Sequence, residues 1–384
     1  MRKLWFLLPA AVLTLASCSN DKVVEQNPSK VVEANALQIY PEIQGLTRGD
    51  VWDNSNFTEF KLTTSGTFQK DGTTINTGDA VLTGVTVKKS GSTWSIMNDD
   101  DPPIPTTYYW PNKSASSSFT AWAPTTVSAG SYTASTTIED QKDILVAFNS
   151  GSATDFEAGV PLKFRHILSQ IVIKADNAAK NKIQIKVKDV RLNNIMSAGT
   201  WALPTASTAS ELGYNPWSIG VTTDNYLTGV GTTTEITLDG SATDLTGENP
   251  LLLIPQQLGA ANFEDGTGQY LSVLVQIQNL TGETDNDKAI FPKINVGTTG
   301  ETITNQKYAW AAVDVNTLWE PGKKYIYTLH FTENGYGKVD GNQDDGGDDT
   351  PGVDPGEDVV DAPVKLVLDV EVIDWEDVTE EHNM

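Results

Sequence analysis

Three kinds of side chain in this 384-residue sequence could do chemistry: one cysteine, three histidines and a large excess of carboxylates. Cys18 is the single thiol, so no disulfide can form within the chain. His166, His330 and His382 are scattered, and with one cysteine they cannot build a Cys/His zinc cluster. His166 sits in a strand-like run beside Arg165 and reads as a structural histidine rather than a general base. The sequence has no G-x-S-x-G elbow, no H-E-x-x-H and no P-loop. Carboxylate pairs of the glycosidase kind occur throughout, and nothing singles one out. Ten tryptophans could stack on sugars, but scattered aromatics in a strand-rich chain usually fill cores. The expectation is a protein that is not an enzyme and has no cofactor and no metal. With 50 acidic against 26 basic residues and a formal charge of -24, a nucleic-acid partner is also excluded as an expectation.

The cysteine stands in a telling place. Met1-Arg2-Lys3 is a basic start, and Leu4 to Leu15 is an apolar run too short to span a bilayer as a helix. Leu15-Ala16-Ser17-Cys18 follows, and its small residues let a peptidase approach the backbone. The spacing resembles the lipobox of bacterial lipoproteins. It implies a signal peptide over 1–17, lipid on the Cys18 sulfur, and Cys18 as the first mature residue. Several acyl chains, a palmitate among them, would anchor the chain to a membrane without a spanning helix. Residues 18–36 are polar and read as a tether.

The elements beyond this point follow a period of two. Runs rich in Thr, Val and Phe, such as Phe57 to Phe68 and Ala80 to Lys89, are bounded by Gly, Asn and Asp. In Lys182 to Leu192, Ile183, Ile185 and Val187 alternate with Gln184, Lys186 and Lys188, the mark of a half-buried strand. The fold class is therefore all-β, with sandwiches as its architecture. A Gly/Ser-rich break at Ser150 to Gly159 divides it into an N-terminal β-sandwich, 37–157, and a C-terminal β-sandwich, 158–338.

Residues 339–363 are Gly, Asp and Pro with almost no large apolar side chain. They read as a flexible acidic linker. A calcium loop counted from Asp340 would need Gly sixth and Glu twelfth, and those positions hold Asp345 and Pro351. The linker leads into a C-terminal strand, 364–384, in which Leu366, Leu368, Val370 and Val372 share one face. Such a strand needs a partner sheet, in its own chain or another.

Taken in order, several segments resemble one family. They are the lipobox at Cys18, Leu46 to Trp52 ("LTRGDVW"), the "YYWP" and "FTAWAP" pair, "LKFRHILSQIVIKA", "LLLIPQQL", Trp319 to Phe331, and the terminal "VIDW". The set is similar to the fimbrillins of Bacteroidetes, the subunits of type V pili. The resemblance implies two tandem transthyretin-like sandwiches, export as an outer-membrane lipoprotein precursor, and final residence in a fimbrium at the cell surface. It also implies cleavage by an Arg-specific protease between Arg48 and Gly49. Loss of Ala36 to Arg48 would strip a strand from the first sandwich. Lys365 to Trp375 of another subunit would refill the groove by strand addition, with Leu366, Leu368, Val370 and Val372 inserted. Such head-to-tail contacts do not close, so they build filaments. The partners are then other fimbrial subunits, the membrane through Cys18, the protease and, in an adhesive role, a ligand on a host or bacterial surface. The competing reading is a surface lipoprotein that binds glycans or host ligands and does not polymerise. The tripeptide Arg48-Gly49-Asp50 matches an integrin ligand, but a cut after Arg48 would destroy it.

Overall fold

A computed structural model describes residues 36–43, 56–70, 79–98, 100–208, 214–247, 249–294, 301–333, 335–348, 350–359 and 366–374. The chain divides into Met1–Ala34 and one compact unit, Asn35–Met384, to which every element below belongs. The main strands are β1 (Ile39–Ile43), β2 (Glu59–Thr64), β3 (Val85–Ser90), β4 (Thr93–Ile96), β5 (Ser116–Ala123), β6 (Leu145–Ser152), β7 (Val160–His166) and β8 (Ser169–Asn177). They continue with β9 (Ile183–Met196), β10 (Thr223–Leu227), β11 (Tyr270–Asn279), β12 (Ala309–Asp314), β13 (Lys323–Phe331), β14 (Lys338–Val339) and β15 (Val367–Asp374). The expected all-β class holds: the helical elements are single short turns.

Strands β1 to β7 form one seven-stranded sheet in the order β1-β7-β6-β5-β2-β3-β4. A small sheet of Asp79–Val81, Thr67–Lys70 and Tyr108–Tyr109 accompanies it. Their shared core includes Phe57, Phe60, Phe68, Trp110, Phe119 and Phe164, with several ring pairs at 5.0 Å. A second core lies mainly among the strands from β8 onward, with Ala134 added to it. It is bounded by a five-stranded sheet containing β8, β13 and β15, and by a seven-stranded sheet with the path β10-β9-β11-β12-β14. A third, smaller cluster holds Ile144, Val146, Ile167, Leu168, Trp201, Trp217, Leu252 and Ile254. Beside it Gly130–Thr133 pairs with Ala198–Trp201, so strands from both halves of the sequence share a sheet.

The change of core does not fall at 157/158. Val160, Leu162 and Phe164 of β7 belong to the first core, whereas Ile171 and Ile173 of β8 belong to the second. The Gly/Ser-rich break is the connection between β6 and β7, which pair antiparallel in one sheet. Small polar residues mark a turn within a sheet as readily as a domain boundary.

The larger difference concerns 339–363. Over its described residues up to Val359, this stretch is packed structure. The cause is Arg191. β9 starts with the expected alternation, and an irregularity between Val187 and Asp189 then shifts its register. Val190 and Leu192 face the core, while Arg191 points to the other face beside Ser272 of β11. That outer face is covered as well, because residues 340–345 lie over it. Arg191 and Asp340 are both fully buried, 3.1 Å apart. The Arg191 guanidinium also donates to Asn342 O (2.7 Å), Asp344 O (3.3 Å) and Asp345 Oδ2 (3.2 Å). It lies 4.3 Å from the Trp310 ring, a cation–π contact. Asp340 accepts further bonds from the Tyr270 hydroxyl (2.7 Å) and the Ser272 hydroxyl (2.6 Å). Burial, and then the Asp340 charge, raises the Tyr270 phenol far above its ordinary value, which keeps it a donor.

Glycine in this stretch serves close approach. A Cβ on Gly341 would collide with the Glu264 carbonyl, and one on Gly347 would press on Trp310. The bonds to the arginine, together with Val339 and Val359 in the second core and Val353 packed against it, offset the ordering cost of a segment that has few large apolar side chains.

Breaking a buried pair from one side leaves an uncompensated charge. Arg191→Met should therefore lower stability by about 3–5 kcal/mol, read as the shift of a urea unfolding curve. The Arg191→Met, Asp340→Leu double variant should lose clearly less than the sum of the two single changes. Additive losses would mean that the pair is not coupled.

Candidate functional site

The assembly chemistry expected from the sequence falls on two edge strands, one at each end of the described chain. β1 is the edge of the first sheet and runs parallel to β7, with Ile39 opposite Val160 and Ile43 opposite Phe164. Just before it, the Leu37 N–H donates to Tyr108 O (2.7 Å), so the segment also touches the small sheet. Leu37, Ile39 and Ile43 are buried in the first core. On the opposite face Tyr40 is 51% exposed, and its ring covers Gly159. Gly159 has φ +104°, and any side chain there would collide with that ring. β1 is thus seated by apolar side chains on one face and by a ring over a glycine on the other. Full burial of a Leu or Ile side chain is worth about 1.5–3 kcal/mol, so three of them contribute roughly 5–9 kcal/mol. Removing β1 would open a groove and uncover the backbone edge of β7.

β15 is held differently. It is the edge of the five-stranded sheet, antiparallel to β13, with Leu368 opposite Leu329, Val370 opposite Tyr327 and Val372 opposite Tyr325. The four expected donor residues do share one face. Leu366 is buried and Leu368 packs partly on the second core. Val370 is 37% exposed and Val372 49%, although their neighbours Tyr327 and Tyr325 are fully covered. The strand therefore overhangs the core along its second half. Polar contacts help to hold it: Lys323 pairs with Asp374, and His330 joins three strands. His330 Nδ1 lies 2.7 Å from Asp176 on β8, and its Nε2 lies 3.3 Å from Asp369 on β15. Nothing local in the sequence assigns His330 a role, and only the register of β13 between β8 and β15 reveals one.

The remaining expected site residues, Cys18, Arg48 and Gly49, lie outside the described residues. Arg48 and Gly49 belong to the stretch 44–55, which follows β1 and precedes β2 in the chain. His166 is buried, with its Nδ1 2.8 Å from Asp143 Oδ2. This pair lies at the join of β6 and β7, where Leu145 faces His166. Among the described residues no group of three or more His, Cys, Asp or Glu side chains is placed to hold a metal ion.

A family model described as fimbrillin-like matches residues 47–344. The structure is similar to a fimbrial protein from Bacteroides vulgatus, at 13% identity and a TM-score of 0.47, covering 89% of this chain and 99% of that one. It is similar also to a proposed cell adhesion protein from Bacteroides ovatus, at 12% identity and a TM-score of 0.45, covering 90% of this chain and 99% of that one. A third, from Bacteroides uniformis and also a proposed cell adhesion protein, gives 14% identity and a TM-score of 0.42 over 89% of this chain and 98% of that one. No curated protein matches the sequence.

The two edge strands should respond unequally to truncation of one side chain. Ile39→Ala removes buried volume and should cost about 2–5 kcal/mol. Val372→Ala, at a half-exposed position, should cost under about 1 kcal/mol. Urea unfolding of both variants decides this, and equal losses would remove the asymmetry.

Proposed function

The chain belongs to the fimbrillin-like family, and from that premise we propose that it is a structural subunit of a surface fimbria, assembled by protease-triggered strand exchange. It is exported as a lipoprotein on Cys18, cut between Arg48 and Gly49, and polymerised when β15 of one copy fills the groove that β1 leaves in another. The observation that carries this reading is the unequal seating of the two edge strands. Val370 and Val372 are half-open on their own domain, whereas β1 occupies a groove that buries Leu37, Ile39 and Ile43.

The spacings agree. Four alternate positions of the N-terminal segment, Leu37, Ile39, Pro41 and Ile43, face inward or are half-covered. Four alternate apolar positions, Leu366, Leu368, Val370 and Val372, are available to replace them. Each valine would gain about 1 kcal/mol on full burial, since full burial of such a side chain is worth about 1.5–3 kcal/mol. The backbone edge of β7 regains its hydrogen bonds in the same step. With β1 still in place the groove is filled and exchange has no driving force, so the cut is the trigger.

The test uses the chain from Ser19 to Met384, treated with an Arg-specific protease and followed by mass and by size. One cut after Arg48, followed by SDS-resistant ladders, is the expected result. Removal of 365–384 should abolish the ladders. Val370→Asp with Val372→Asp should do the same while leaving the monomer folded, because both positions are open to solvent there. A chain that is cut and stays monomeric would refute strand exchange.

A further inference from the structure

The acidic stretch begins and ends at one place. β14 pairs with β12 through Ala311–Val339 and Ala312–Lys338. The chain leaves at Asp340 and returns at Glu357: the Val339 N–H donates to Glu357 O (2.9 Å), and the Val359 N–H donates to Gly337 O (3.0 Å). Lys338 and Asp358 face each other across this bridge and form an ion pair at 3.2 Å. A segment whose ends meet and whose body is packed is an Ω-loop. Its body is fastened at several points: by Arg191, by the Trp310 Nε1–H donating to Asp344 O (2.7 Å), by Lys307 with Asp348 (3.3 Å), and by Val353 against the core.

We infer that this loop is a clasp that stays shut during assembly, so that the reach of β15 is set by residues 360–365 alone. The acceptor is then a second copy of this chain docked directly beside β13, not one held at the end of a long tether. The inference rests on the strand-exchange reading and specifies its geometry. Six residues separate Val359 from Leu366, which are both buried. At about 3.4 Å per residue they span at most about 24 Å. With the clasp open, the chain from Asp340 would reach roughly 90 Å by the same measure.

A shut clasp follows from linkage. A binding event shifts a conformational equilibrium only through contacts that differ between the two states. None of the polar groups that fasten the clasp belongs to β15, and the donor segment meets the clasp's base only through Leu366, beside Gly337 in the shared core, so moving β15 to a neighbour supplies little free energy for opening it. Opening would instead strip the cover from Arg191, Trp310, Tyr270 and Ser272 on the outer face of the sheet.

The test staples the loop. Lys338 and Asp358 are a non-hydrogen-bonded antiparallel pair, a class with Cα atoms about 4.5 Å apart, within the range a disulfide spans. Lys338→Cys with Asp358→Cys, in the chain from Ser19, therefore gives one protein whose loop is locked when oxidised and free when reduced. After Arg-specific cleavage, both forms should build the same ladders at rates within about twofold of each other. An oxidised form that stays monomeric while the reduced form polymerises would overturn the proposal.

Hydrogen exchange on the uncut full chain tests the clasp apart from assembly. The amides of Val339, Gly341 and Val359 should exchange at least about tenfold more slowly than those of β15. Equal rates would mean that clasp and strand open together, and would overturn the proposal whether or not ladders form. If the unstapled chain is cut and stays monomeric while the clasp amides remain the slower set, strand exchange fails and the independent clasp stands.

Discussion

A sheet must end somewhere, and its last strand presents a row of unpaired N–H and C=O groups. The edges of this molecule follow from that constraint. β1 covers the edge of β7, and its side chains complete the first core. β15 covers the edge of β13 but reaches beyond the core that supports it. One edge is closed by a deep insertion, the other by a shallow one. The two differ in the apolar surface that each strand buries, although β15 has the longer ladder. Area scales directly into free energy, so the strands differ in how readily they leave.

A second constraint works on the outer face of the seven-stranded sheet built on β9 and β11. An antiparallel sheet with one wet face shows alternating burial. In β11 the residues from Tyr270 to Ile277 are buried without a break. Over Tyr270, Ser272 and Leu274 the cover is the acidic loop, held there by a polar contact, while Gln276 donates to the Gln306 carbonyl. Arg191 is as buried as any core leucine, and its charge is met by Asp340, backbone carbonyls and the Trp310 ring. The loop is short of large apolar side chains, so this network and the bonds at Trp310, Lys307 and Phe263 hold it in place.

This also explains which parts of the structure were legible in the sequence. The period-two runs gave the strands and the all-β class, because inward and outward residues differ in type along a half-buried strand. Ile183, Ile185 and Val187 show this, and they are buried as the pattern requires. The shared face of Leu366, Leu368, Val370 and Val372 was visible for the same reason. The acidic loop was not. Composition measures how much apolar surface a segment can bury, but not whether a buried arginine stands opposite it. Arg191 and Asp340 are 149 residues apart in the chain, and nothing local links them. Glycine misled in the same way: at 341 and 347 it permits close packing, yet in composition it counts towards flexibility. The break at 150–159 misled because a hairpin turn and a domain boundary draw on the same residues. His330 was invisible because its two carboxylate partners come from strands that flank it only in the folded sheet.

In the strand-exchange reading, the clasp and the overhanging strand serve one end together. A donor strand must leave its own sheet easily, yet it must not carry the domain's stability away with it. If 338–359 were fastened only through β15, departure of the strand would uncover Arg191 and the outer face of β11. In the assembly proposed above, the Lys338–Asp358 bridge and the Arg191 network would prevent this, because both fasten the loop to residues outside β15. In that reading, exchange of what lies beyond Val359 costs its own contacts: the ladder with β13, partial burial of Leu368, the cover on Leu366, and ion pairs at the surface. Surface ion pairs contribute little, of the order of 0–1 kcal/mol each. They suffice to fix register without binding the strand tightly. If β15 is the donor proposed above, strong fastening stops where exchange begins, and that division would let one chain be both a stable fold and a lender of its last strand.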